Sequence, residues 1–420
     1  MVGNYESPFL FPFWLSVKLL SVSQDKSPSL PVQLVVLTFA RLFLNTGLRM
    51  VYPFLPALSR GLGLPMEQTA QLFNVRNLAG FIAPVLGSLS EKYGRRPVMA
   101  AAMVIFGLGM LLVAVWPVAG VVAVAMALAG IAKVMYDPAM QSYLGDRVPY
   151  AQRGKAISAT EIAWAGGILI GAPVIGWLIT RFSWRSPFIM LGVGGLFAAA
   201  LLHLVLPRMG TATPRSGKWR DILAALRRHP VIWAAALFGL LVMCAQEITF
   251  IIYGGWMESQ FDLSLTNLGL ASVVIGVSEL SGELFAGWST DRFGKRPVTI
   301  TAAFLTALAY LILPFSGSNL TAALVAMFFL FFVFELTVVG NMPLLTELVP
   351  QARSLVMSVF IAAGAMGRLL GGAIGPWLWA RAGFMGNTFV AAAIMLAAAV
   401  VLILWLREGT SEPIIVTSEP

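Results

Sequence analysis

One cysteine and two histidines in 420 residues remove several kinds of chemistry at once. Cys244 has no second thiol to pair with, so no intrachain disulfide forms, and its place inside an apolar run makes it a small buried hydrophobe. Neither His203 nor His229 has a second candidate ligand at metal-binding spacing, so no metal site is expected. Nucleotide-cradling glycine loops and nucleophile motifs are missing as well, so the chain is expected neither to be an enzyme nor to hold a cofactor. Charged residues make up only 11%, well below the share found in soluble domains. Also lacking are the segments of about ten residues with alternating polarity that mark a membrane β-barrel.

What fills the chain instead is apolar, with 58% hydrophobic residues and a mean hydropathy of +0.84. Runs of about 20 apolar residues, the length of helix that crosses roughly 30 Å of hydrocarbon, recur throughout. Twelve are predicted, near 31–58, 67–90, 97–116, 118–144, 154–180, 187–206, 230–256, 265–289, 297–315, 319–345, 354–380 and 386–406. The fold class is an all-α membrane protein with twelve transmembrane helices. Residues 1–30 include "FLFPFWLSVKLLS", which is too short to span and has no basic region before it. No cleaved signal peptide is expected there, and the segment is read as lying on the membrane surface or disordered.

A net charge of +9 would point to nucleic acid in a soluble protein. Its distribution points to lipid instead. With both termini placed in the cytoplasm, nineteen basic residues fall inside, against Arg60, Arg181, Arg185 and Arg381 outside. That excess orients the chain in an inner membrane and brings it against anionic headgroups, so the bilayer and not nucleic acid is the expected partner.

The longest polar interruption, 207–229, separates six spans (31–206) from six more (230–407), with a cytoplasmic tail at 408–420. Within it, "WRDILAALRRH" reads as a short helix lying on the inner membrane surface. The two sides repeat at an offset of 200. "GSLSEKYGRRPV" at 87–98 returns as "GWSTDRFGKRPV" at 287–298, and the segment from Arg153 aligns with that from Arg353, with Gly167 over Gly367, Gly171 over Gly371 and Trp177 over Trp377. Two sets of six spans in the same orientation form a parallel repeat.

These phrases resemble the signature between the second and third helices of the major facilitator superfamily and its echo between helices eight and nine. The resemblance covers 31–407. It implies two pseudo-symmetric six-helix bundles that rock about a central site, moving a small-molecule substrate by alternating access, with the chain acting as a monomer. It also implies a conformational latch at Gly87, Glu91, Gly94, Arg95, Arg96, Gly287, Asp291, Gly294, Lys295 and Arg296. Gly87 and Gly287 would admit a close helix, Gly94 and Gly294 a tight turn, and the Glu91 and Asp291 carboxylates would hold a helix N-terminus of the opposite half or a nearby arginine. Glu91 stands where the signature has Asp, so the two copies are expected to be unequal.

Ionisable residues inside the spans are costly, at about 2.5 to 3.5 kcal/mol each when unpaired at the bilayer centre, and must face a cavity or a partner. Spans three, six, nine and twelve hold no acidic, Arg or Lys residue, and in the resembling fold those four lie outside the ring around the cavity. On the first span Thr38, Arg41, Asn45, Arg49 and Tyr52 form one polar stripe, suited either to an anionic substrate or to pairing with acids elsewhere. On the fourth, Lys133 and Asp137 stand at i and i+4 with Tyr136 beside them. With Glu161 and Arg368 these residues make the expected substrate cavity. Glu247, Glu279, Glu283 and Glu335 outnumber the bases of the second half, so some are candidates to carry a coupling proton, Glu247 and Glu335 first, with Glu279 and Glu283 sharing a proton or pairing with Arg368. "GILIGAPVIG" at 167–176 permits close helix packing and resembles the Gly-Pro signature of drug and proton antiporters. The expected function is proton-coupled efflux of an amphipathic compound or metabolite. The alternatives are uptake or exchange of an organic anion held by the cavity arginines and, further off, a non-transport receptor on the same fold.

Overall fold

The computed structural model describes residues 28–208, 227–349 and 353–406. The N-terminal segment up to residue 27, the interfacial helix expected in the linker (209–226) and the tail expected at 408–420 lie outside the described residues. Those described are helical with no strand among them, as hydrocarbon requires of backbone that must bond to itself.

Among the described residues, ten helices are long and apolar enough to cross a membrane; the one at Leu355–Trp405 turns back at Gly383 and is two spans, and the bent helix through 66–93 is another. The twelve are α1 (30–62), α2 (66–93), α3 (Arg95–Val115), α4 (Ala119–Arg147), α5 (150–181), α6 (Ser186–Val205), α7 (Val231–Phe261), α8 (Leu265–Phe293), α9 (Lys295–Ser318), α10 (Leu320–Leu348), α11 (353–382) and α12 (384–405). Prolines explain the interruptions in α1 and α5. Pro53 has no N–H for the carbonyl of Arg49, and Pro173 has none for Leu169, which is where the two helices break.

The repeat is structural as well as sequential. In the first half α1 packs on α5, α3 on α4 and α6, and α2 on α4; in the second, α7 packs on the α11–α12 segment, α9 on α10 and that segment, and α8 on α10. Large side chains such as Trp116, Trp177, Leu204, Trp233, Leu284 and Phe315 remain exposed, as a surface solvated by lipid requires.

The halves meet through α1, α2, α5, α7, α8 and α11. All the contacts that follow lie at mid-span or toward the end opposite the repeated loops. Arg60 on α1 meets Glu258 on α7 at 2.8 Å, Thr266 on α8 meets Thr180 on α5 at 3.1 Å, and Asn74 on α2 donates to the Leu369 carbonyl on α11 at 2.8 Å. Backbones approach so closely at α5 and α8 that a Cβ on Gly176 would lie 2.5 Å from the Leu265 carbonyl oxygen. At the other end, Glu91, Arg95, Arg96, Asp291, Lys295 and Arg296 make no hydrogen bond or ion pair to the opposite half among the described residues. A cleft between the halves therefore opens toward the repeated loops.

Candidate functional site

At the depth where the two halves join, charges from seven helices collect. On the first-half side Arg41 is held by Asp137 (Nε to Oδ1, 3.2 Å), Glu161 (Nη1 to Oε1, 2.8 Å) and the Thr160 carbonyl (3.1 Å). Lys133 bonds Asp137 at 2.8 Å, the i,i+4 pairing its spacing predicts, and donates to Asn45 Oδ1 at 2.6 Å. These side chains are still partly accessible, at 20% for Lys133, 21% for Asp137 and 28% for Glu161. Mid-membrane groups with that exposure front an aqueous cleft.

Arg49 crosses to the other half. Its Nη1 donates to Glu279 Oε2 at 2.8 Å while Nη2 bonds Oε1, and Nη1 also reaches the Trp164 carbonyl at 2.9 Å. The Trp164 ring lies 4.4 Å from the guanidinium and 5.5 Å from the Lys133 ammonium. Both partners of this fork are 2% exposed, so the Coulomb attraction acts in a medium of low dielectric and the pair is costly to break.

Glu247 is the second junction. Tyr52 Oη donates to it at 3.0 Å, and Arg76 and Arg368 each stand 3.6 Å away. Arg76 also donates to Tyr52 Oη at 2.9 Å and to the Leu48 carbonyl at 2.6 Å, and the Tyr52 ring stacks on Phe250 at 3.8 Å. Two cations and a hydroxyl therefore serve one carboxylate, from both halves.

This geometry bears on several of the expected site residues. Of the two readings left open for the stripe of α1, pairing is the one seen, since Arg41 and Arg49 stand against acids of other helices. Tyr136 is fully buried and donates to the Leu37 carbonyl at 2.8 Å, so it fastens α4 to α1 and does not line the cleft. Asn45 is likewise buried between Lys133 and the Ala163 carbonyl, and Tyr52 is sealed at the junction of the halves. Arg368 partners Glu247 and leaves Glu279 to Arg49. The second-half acids find their cations largely in the first half, a possibility excluded when each half is counted alone. Trp164 and the bridging role of Arg76 went unnoticed in the sequence, although Trp164 stands one turn from Glu161 and Arg76 belongs to the same census of charges.

Two acids stay outside all of these pairs. Glu283 on α8 and Glu335 on α10 have no basic nitrogen within salt-bridge distance among the described residues, and both are only partly buried. Glu335 lies against α8, where a Cβ on Gly282 would come within 2.9 Å of its own Cβ.

The repeated loops are built alike. Gly94 has φ 88° and ψ 152°, Gly294 φ 87° and ψ 147°, a region open to glycine alone. The next base ties the loop to its own half: Arg95 meets Asp146 at 3.3 Å and Lys295 meets Glu347. The base after that caps a helix end. Arg96 donates to the Leu206 carbonyl at 2.9 Å, and Arg296 to the carbonyls of Leu406 at 3.1 Å and Ile403 at 2.8 Å. A cation on the last carbonyls of a helix satisfies groups with no intrahelical donor and opposes the helix dipole. Glu91 and Asp291 make no ion pair or side-chain hydrogen bond among the described residues, and their expected contacts with the opposite half are not formed here. Nor does a helix press on Gly87 or Gly287: a Cβ would meet only Pro138 at 3.6 Å at the first and nothing within 4 Å at the second.

Away from the charges, a narrow cavity of about 20 Å³ lies in the second half among α7, α9, α10 and the start of α12, walled by Phe250, Tyr253, Tyr310, Phe331 and Phe334.

Comparison with known proteins agrees with this architecture. The sequence profile of the Major Facilitator Superfamily matches residues 37–254 and 239–419. An uncharacterized MFS-type transporter of Bacillus subtilis, YceJ, is 21% identical over 342 residues, covering 80% of this chain and 86% of its own length. The class C tetracycline resistance protein of Escherichia coli is 27% identical over 286 residues, 64% of this chain and 70% of its own. Among solved structures, a bacterial homolog of the human lysosomal transporter Spinster, inward-facing and occupied, superposes with a TM-score of 0.74 at 14% identity, over 90% of this chain and 96% of that one. The inward-open xylose transporter XylE of E. coli gives 0.71 at 18% identity, over 90% and 97%. Twelve helices in two repeated bundles, a cleft between them and a family profile over nearly the whole length have one reading: this chain is a multi-pass membrane transporter and belongs to the major facilitator superfamily.

Proposed function

We propose that the chain is a proton-coupled exporter of a small amphipathic compound, set in the inner membrane with both termini and the open cleft on the cytoplasmic side. The observation that supports this most is the pair Glu283 and Glu335, two mid-membrane carboxylates that every cation nearby has left unpaired. An unpaired charge at that depth costs about 2.5 to 3.5 kcal/mol, so each acid calls for a proton or another cation as the transporter cycles. Glu247, first choice on sequence grounds together with Glu335, is already served by Arg76, Arg368 and Tyr52; the coupling role passes to Glu335, with Glu283 beside it.

Alternation then has a simple form. Opening the end opposite the loops separates Arg49 from Glu279 and Arg76 from Glu247, and Glu247 keeps Arg368 of its own half whereas Glu279 keeps no cation. Loading of the α8 and α10 acids compensates that loss. Closing the loop end brings a helix of the opposite half against Gly87 and Gly287, and gives Glu91 and Asp291 the partners they lack here. The basic residues of the loop end favour a cytoplasmic position, and the tetracycline resistance relative supports export. Exchange of an organic anion is disfavoured, since Arg41, Arg49 and Arg368 all stand against carboxylates.

The test uses everted membrane vesicles with neutral, cationic and anionic dyes. Accumulation of at least one dye, collapsed by nigericin and absent with Glu335→Gln, is expected. Accumulation indifferent to nigericin, or intact in Glu335→Gln, would overturn the coupling.

A further inference from the structure

The aromatic cavity of the second half is not wholly apolar. Two polar side chains of α7, Gln246 and Thr249, stand in its wall one turn apart, 4% and 6% exposed. The amide oxygen of Gln246 and the hydroxyl of Thr249 are buried and have no hydrogen-bond partner among the described residues. A threonine inside a helix often satisfies its hydroxyl on the carbonyl four residues back, as Thr290, Thr306 and Thr337 do. Thr249 does not. Nor does the neighbouring phenol reach inward to meet it, because the Tyr253 hydroxyl is engaged with Ser272 at 3.3 Å. Buried oxygens without a partner are costly, and two on one wall call for a ligand.

The interruption of α7 lies just beyond them. The helix breaks at Ile251 and Ile252 with no proline in the span, and such breaks are held by a side chain or a water inserted among the backbone groups. Asn387 of α12 supplies a side chain, donating to the Ile248 carbonyl at 2.9 Å and to the Gly375 carbonyl at 2.8 Å. Thr249 sits between that carbonyl and the break.

Space and charge then select the ligand. A cavity of about 20 Å³ admits a single water, for which roughly 10 to 15 Å³ is enough, and no larger molecule. No acidic or basic residue lines it, so an ion would enter uncompensated. In the repeat, Gln246 and Thr249 stand 200 positions after Thr46 and Arg49. Arg49 finds a carboxylate across the halves, whereas its second-half counterpart is neutral and needs only a neutral partner.

We infer that this cavity is a binding site for one ordered water molecule, which donates to Gln246 Oε1 and accepts from the Thr249 hydroxyl, joining the two groups across the last turn before α7 breaks. Every residue of the site belongs to the second half, so the water stays bound whichever way the cleft opens.

The experiment compares the full-length purified protein with Thr249→Val, Gln246→Met and the double variant, which keep shape and remove the polar atoms singly or together. With water bound, each single change leaves it one polar partner and should lower the unfolding midpoint by about 1 to 2 °C, while the double variant recovers most of the loss. In a dry cavity the signs reverse, because each change removes an unsatisfied buried group and raises the midpoint. Radiolytic hydroxyl-radical labelling reads the water directly, since a bound water yields radicals where bulk solvent does not reach. The buried rings of Tyr310 and Phe334 should be labelled in the unaltered protein and about fivefold less in the double variant, whose cavity is apolar and dry. A raised midpoint in either single variant, or equal labelling of the unaltered and double-variant proteins, overturns the inference. A midpoint recovered in the double variant without labelling of the unaltered protein would show that Gln246 and Thr249 bond each other directly, and overturns it as well.

Discussion

Arg49 on α1 grips Glu279 on α8 through both terminal guanidinium nitrogens, across a boundary that the transport cycle must open. The two residues are 230 positions apart in the chain, and the fork is nearly sealed from water. Removing one partner strands a buried charge, so Arg49→Ala or Glu279→Gln should lower unfolding stability by about 3 to 5 kcal/mol. Reversing both charges, Arg49→Glu with Glu279→Arg, should recover part of that loss. Thermal unfolding of the four proteins gives the coupling energy; additive effects would show that the pair does not act as a unit.

Glu247 and Glu335 are both intramembrane glutamates, yet their neutral variants should behave oppositely. Glu247→Gln leaves Arg76 and Arg368 facing each other without an anion and should destabilise by about 3 to 5 kcal/mol. Glu335→Gln removes a charge no cation was compensating, so its unfolding midpoint should hold or rise while gradient-driven transport disappears. Equal destabilisation of the two would refute the assignment of paired and unpaired acids.

In the repeated loop, Gly294→Ala must force a methyl-bearing residue to φ near 87°, a strain of about 1 to 3 kcal/mol visible in unfolding. Gly287→Ala meets open space in this conformation and should leave stability within about 0.5 kcal/mol. Transport by Gly287→Ala should nonetheless fall, because the added methyl obstructs the helix that closes the cleft. Full transport in that variant would show that no such approach occurs.

Asp291→Asn and Glu91→Gln should likewise spare stability, since neither acid has an ionic partner among the described residues, and reduce transport to different extents, with Asp291 the more sensitive. Rates in everted vesicles at matched protein levels decide it; identical losses would reject the inequality of the two copies.

The capping arginines differ by one bond. Arg296→Ala forfeits two carbonyl contacts and Arg96→Ala one, so the second-half variant should be the less stable, by about 1 kcal/mol after allowance for partial solvent exposure. Equal unfolding midpoints would count against the caps as stabilising elements.

The sequence by itself determined that this chain lives in a bilayer, because twelve apolar runs permit nothing else, and that its halves are duplicates, because the loop phrase and its glycines return 200 residues on. It determined also which residues are costly in the membrane, and the helical spacing of Lys133 and Asp137 was enough to pair them. Only the tertiary structure decided the remaining partners. Arg49 and Glu279 lie 230 residues apart, Tyr52 and Glu247 195, and the face of one helix does not reveal which helix of the other half stands opposite. That arrangement turned an apparent anion site into a set of closed ion pairs and left Glu283 and Glu335, among the described residues, as the intramembrane acids without a salt-bridge partner. The physical reason is that helical periodicity is local, whereas the cancellation of charge in a medium of low dielectric is settled by whatever lies within a few ångströms, at any distance along the chain.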